Sequence, residues 1–223
     1  KQALGVKLIL QKNKWYLQKQ QVFYHLLQVM HITEVSGKIE IEKTLQKFLD
    51  KKLQYLSNKN GFLGIDNKFN FKEKVVIIPF GLEKTVSYGG GTKNGPKEII
   101  KASHQVELYD EEFNCEPYKK IGIKTLKPFK IDKNINKALK KMAKINNEIL
   151  DKKLFPMTFG GEHSITPGCI APFVKKHKKI CLLHFDAHAD LRESYNGEKF
   201  SHASAIRRCL DYKNVSIISF GIR

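Results

Sequence analysis

The sequence predicts an α/β fold, a parallel sheet covered by helices on both faces. Three observations predict it. Short apolar runs such as Val75-Val-Ile-Ile78 alternate along the chain with segments of helical period. The runs are apolar at consecutive positions, as strands buried on both faces are. The two clusters of candidate ligands each fall where such a run ends, which is where parallel sheets build their sites.

Residues 1–60 read as an N-terminal helical appendage of unknown role. They are rich in Lys, Gln and Leu, and Leu45, Leu49, Leu53 and Leu56 give 40–56 the spacing of an amphipathic helix. Residues 22–32 are apolar and of ambiguous type. The main domain spans 61–223. Its first strand is 75–78, ended by Pro79 and Gly81. A glycine-rich loop, Thr85 to Pro96, leads into a helix at 97–103, with Pro96 suited to the first turn. A strand is expected at 121–126 and a helix at 134–150, where Ile135, Leu139, Met142, Ile145 and Ile149 share a face. A strand at 154–159 precedes Gly160-Gly161. Ser164 or Thr166 is expected to cap the next helix, with Pro167 in its first turn. Then follow a strand at 180–185, a helix at 202–210 and a final strand at 215–220.

Composition narrows the class. The 223 residues, 41% of them hydrophobic, suffice for one substantial domain and an appendage. No apolar stretch reaches the roughly 20 residues of a membrane span, and the start lacks a secretory pattern. The first residue is Lys1 rather than Met, so we read the N-terminus as processed or as a fragment edge. Cys115, Cys169, Cys181 and Cys209 are widely spaced, without CxxC, and suggest reduced thiols in a cytoplasmic protein. The formal charge of +18 would suit a nucleic-acid binder. The lysines are scattered, however, with no basic block and no aromatic-basic motif, so no nucleic-acid partner is expected.

The chemistry concentrates in Ile180-Cys-Leu-Leu-His-Phe-Asp-Ala-His-Ala-Asp190. Strand side chains alternate faces, so Asp186, His188 and Asp190 are expected to point one way from a strand end. Three ionisable groups beside an apolar run would repel or desolvate one another without a cation. A second strand exit, Phe159-Gly-Gly-Glu-His-Ser-Ile165, offers His163. A mixed Asp/His set fits Mn²⁺, Zn²⁺ or Fe²⁺, and a pair of such ions activates water near neutral pH. Glu162 either orients His163 or faces solvent. His202 is a candidate proton shuttle or a helix-start residue with no role. The loop from Arg192 to Ser201 is the suspected substrate-binding segment. Gly89-Gly90-Gly91 lacks the spacing of a phosphate-binding loop and reads as a structural turn.

Gly160-Gly-Glu-His-Ser164, then His184-Phe-Asp-Ala-His-Ala-Asp190, then Ser201-His202 resemble the ureohydrolase (arginase/agmatinase) superfamily. Tyr88-Gly-Gly-Gly-Thr-Lys-Asn-Gly-Pro96, Val106-Glu-Leu-Tyr-Asp110 and Phe220-Gly-Ile-Arg223 are more similar to bacterial agmatinases than to arginases. The resemblance covers about Gly61 to Arg223. It implies a three-layer α/β sandwich with a mostly parallel, doubly wound sheet, and a site for two Mn²⁺ ions. It implies that His163 and Asp190 hold one ion, His188 the other, that Asp186 bridges them as the catalytic carboxylate, and that His202 shuttles protons. The implied reaction cleaves the guanidinium C–N bond of agmatine to give putrescine and urea, a step of polyamine biosynthesis. It also implies a homo-oligomer.

The family supplies two further ligating aspartates and a downstream glutamate that holds the guanidinium, and the sequence stops at Arg223 before either. Asp211, with no partner two residues away, is a poor substitute. The expectation is therefore an incomplete sheet, and residues 61–223 as the N-terminal part of a catalytic domain, truncated at its C-terminus and inactive alone. Arginase or guanidinobutyrase chemistry on another guanidino compound stays open, Arg192 being a conceivable carboxylate partner. So does an inactive truncated relative.

Overall fold

The computed structural model describes residues 53–66 and 72–223. Residues from Gln54 onward form one compact unit. Its elements are β1 (Val75–Phe80), α1 (Gly95–Ala102), α2 (Pro117–Ile121), β2 (Ile123–Thr125), α3 (Ile135–Asp151), β3 (Phe155–Gly160), α4 (Thr166–Lys176), β4 (Ile180–Phe185), α5 (Ala205–Cys209) and β5 (Val215–Phe220). The class is the predicted α/β class, with every pairing between these strands parallel. The strands divide into two sheets, ordered β2-β1-β3 and β4-β5.

β1 is the middle strand of its sheet, and Val76, Ile77, Ile78 and Phe80 are fully buried. The strand runs two residues past its expected end, through Pro79, which pairs with Phe159. The reason is local. Leu126 N–H bonds the Ile77 carbonyl on the β2 side, and Gly161 N–H bonds the Phe80 carbonyl on the β3 side. Alternation puts the missing N–H of Pro79 toward β2, whose register with β1 stops at Ile77, so no ladder bond is lost.

α3 forms where the period predicted it. Its N-cap is Asn134, whose side chain accepts from Lys137 N–H, and its buried face carries Ile135, Leu139, Met142, Ile145 and Ile149. It packs against β3 and α4, while α1 packs against β1 and β3. The expected cap of α4 is absent. Ser164 Oγ donates to Glu162 instead, and a 3₁₀ turn, His163–Ile165, feeds the helix directly.

The predicted segments 22–32 and 40–52 lie outside the described residues. Residues 53–56, expected to continue a helix, are extended instead: Tyr55 bridges to Leu126 and Leu56 N–H bonds the Thr125 carbonyl. On the β4-β5 pair, Ile180, Leu182, Val215 and Ile217 pack in one cluster with Ile170 of α4 and Cys209 of α5. Leu183, Phe185, Ile218 and Phe220 are exposed, and Phe185 and Phe220 stack with centroids 4.8 Å apart. No helix among the described residues is long and apolar enough to cross a membrane.

Candidate metal centre

Two strand exits meet in one cleft. β3 ends at Gly160, and the next residues pass close under the exit of β1. A Cβ on Gly161 would lie 2.0 Å from the Leu82 carbonyl oxygen, so only glycine fits there. The same approach lets Glu162 N–H bond Leu82 O at 2.9 Å, and the next residue, His163, opens the 3₁₀ turn. β4 ends at Phe185, and Asp186 N–H bonds the Phe220 carbonyl. Downstream, Arg207 N–H bonds the Asp190 carbonyl and Arg223 N–H that of Ala187. The segment 186–190 is thus pinned from α5 and from the exit of β5.

The ligand atoms of His163, His184, Asp186 and Asp190 all lie within 4.8 Å of one another. His163 Nδ1 is 2.6 Å from Asp190 Oδ2 and 3.8 Å from Asp186 Oδ2. His184, on β4, is buried; its Nδ1 contacts Ser219 Oγ at 3.1 Å. Its Nε2 has no hydrogen-bond partner among the described residues and lies 3.6 Å from Asp186 Oδ2. An unpartnered buried imidazole nitrogen 3.6 Å from a carboxylate fits the donor set of a cation site.

His188 stands on the other side of Asp186. Its Nδ1 is 3.2 Å from Oδ1, its side chain is 81% exposed, and it is not one of the four clustered groups. Its own N–H donates to Asp186 Oδ1 at 2.8 Å. That N–H, then the ring of His188 and the imidazoles of His163 and His184, hold the Asp186 carboxyl below the usual carboxylate range. The expected single-face array is therefore corrected. The strand has ended, and Asp190 adopts a left-handed conformation with φ 49°, which Asp tolerates. Backbone turning, rather than strand alternation, delivers Asp190 to His163.

Two further sequence readings change. Glu162 does not orient His163: it is buried and accepts from Lys84 N, Thr85 N, Thr85 Oγ1 and Ser164 Oγ. His184 was missed, although the alternation that singled out Asp186 also runs backward to it. Asp211 is held by Arg207 and Arg208, away from the centre. His202 lines the cleft with Ser87, His163, Asp186 and Arg192. Tyr195 meets the His202 ring edge-on, and the Arg192 guanidinium lies 5.8 Å from the Tyr195 ring centre.

The arginase family model matches residues 73–223. The chain belongs to the arginase family. The agmatinase of Bacillus cereus is 35% identical to it over 170 residues, 74% of this chain and 57% of that one. The guanidinobutyrase of Pseudomonas aeruginosa is 30% identical over 131 residues, 58% of this chain and 41% of that one. The crystal structure of the agmatine ureohydrolase of Thermoplasma volcanium shares the fold, with a TM-score of 0.59 and 24% identity, covering 78% of this chain and 64% of that one. This arginase-family chain thus spans about half the length of the curated relatives it matches.

Proposed function

We propose that this chain carries the metal-holding part of a ureohydrolase that cleaves the guanidinium C–N bond of agmatine, releasing putrescine and urea with two Mn²⁺ ions as cofactor. The observation that carries the reading is the two-sidedness of Asp186. One oxygen faces His163 and His184, and the other faces His188. A carboxylate so placed can bridge two cations. His163 and Asp190 would hold one ion and His188 the other, with Asp186 shared; the donor set suits Mn²⁺. Bound ions supply Lewis acidity that makes water a nucleophile near neutral pH.

The chain's own residues do the rest. Asp186 and Asp190 neutralise cationic charge. His202, beside the cleft, gives a proton to the departing amine. Residues 192–199, exposed for the most part, contribute Arg192 and Tyr195 to the substrate mouth. By family resemblance, we read the assembly as a homo-oligomer in the cytoplasm.

A second reading has its own observation. Arg192 and Arg223 both line the cleft, and two cations there favour a substrate bearing a carboxylate. On that reading the substrate is a guanidino acid such as 4-guanidinobutyrate. The test is urea release by the full gene product loaded with Mn²⁺, offered each compound in turn. Preference for agmatine supports the first reading and preference for the acid the second; urea from neither rejects both.

A further inference from the structure

We propose that Glu162 and Thr85 form a positioning relay that fixes the tautomer of His202. The proposal rests on the reading of His202 as proton donor and adds what prepares it for that role.

The hydrogen-bond arithmetic is closed. Lys84 and Thr85 donate their backbone N–H groups to Glu162 Oε2 at 2.6 and 2.7 Å. Oε1 accepts from Ser164 Oγ at 2.5 Å and from Thr85 Oγ1 at 3.0 Å. A threonine hydroxyl has one proton, and Thr85 gives it to Glu162. The oxygen can then only accept, and it accepts from His202 twice: from the backbone N–H at 2.9 Å and from ring Nδ1 at 3.1 Å. Nδ1 must carry hydrogen for the second bond to exist. The neutral ring therefore keeps its lone pair on Nε2, which meets Ser87 Oγ at 3.0 Å on the cleft side. Nε2 is then the nitrogen that takes up and releases a proton toward the cleft.

The relay also explains the glutamate in Gly-Gly-Glu-His. One segment sets both halves of the centre, because His163 faces the carboxylates while its neighbour Glu162 holds the platform under His202. Thr85 is a positioning residue, since it touches the imidazole and not the cleft centre.

The test is the tautomer of His202 in the histidine-labelled chain, read by long-range proton–nitrogen NMR above the imidazole titration and assigned by the signal lost in His202→Ala. The wild type should show the Nδ1–H form in roughly fivefold excess or more, the ratio one net hydrogen bond supplies. Thr85→Val should shift it toward Nε2–H, and Thr85→Ser, which restores the hydroxyl, should return it. A wild-type ring carrying its proton mainly on Nε2 overturns the relay even if Thr85→Val fails to fold. So does an unchanged ratio in folded Thr85→Val. The role of His202 itself fails separately, if His202→Ala leaves urea release by the Mn²⁺-loaded gene product unchanged.

Discussion

His163 Nδ1 and Asp190 Oδ2 meet at 2.6 Å although 27 residues separate them in the chain. The contact joins the exit of β3 to the turn after β4, and it is made by two groups that a divalent cation would otherwise share. Cation binding must therefore displace this contact. In a calorimetric titration with Mn²⁺, His163→Ala should lower affinity at least ~10-fold. Undiminished affinity in that variant would remove His163 from the centre.

His184 should matter to the metal more than to the fold. Its Nε2 lies 3.6 Å from Asp186 with no other partner among the described residues. His184→Gln, read by Mn²⁺ electron paramagnetic resonance, should weaken binding about 10- to 100-fold, the usual cost of losing a group that orients a ligand. A large fall in melting temperature with normal affinity would instead make His184 a packing residue.

The Glu73–Lys124 ion pair ties the start of β1 to β2. Its hydrogen bond from Lys124 holds the Glu73 carboxyl below its ordinary value. The sign follows: a depressed carboxyl stabilises the fold at neutral pH, and that contribution is lost as pH falls through the folded value. Both side chains are partly exposed, so the effect is small, under about 1 kcal/mol. Glu73→Gln should melt slightly lower than wild type at pH 7, with the gap closing below about pH 4. A gap that widens on acidification would contradict the pair.

Thiol chemistry should divide the cysteines. Burial pushes the Cys209 thiol up to about 12 and the Cys169 thiol up to about 11. Cys181 is exposed on β4. Iodoacetamide at pH 8 should modify Cys181 in the native chain and spare Cys209 until denaturant is added. Peptide mapping that finds Cys209 labelled first would show that the α5 cluster opens.

Much of this was legible in the sequence. Continuous apolar runs gave the strands, and the helical period gave α3. What escaped depends on where ladders stop and chains turn. Pro79 looks like a terminator, yet β1 continues because β2 has run out on the side where its N–H is missing. Ser164 looks like a cap, yet its hydroxyl goes to a buried carboxylate. For the centre, alternation from β4 links His184 to Asp186, but it fails beyond Asp186. There His188 swings outward, and Asp190 arrives through a left-handed turn that no period encodes.

Gly161 divides the site into a part that evolution can revise and a part it cannot. With the Leu82 oxygen where a methyl would sit, a library randomised across 160–164 should return glycine at 161 in every survivor. The solvent-facing span 192–199 meets no such wall. New substrate preferences should therefore be selected from that span, under an unaltered cation cradle.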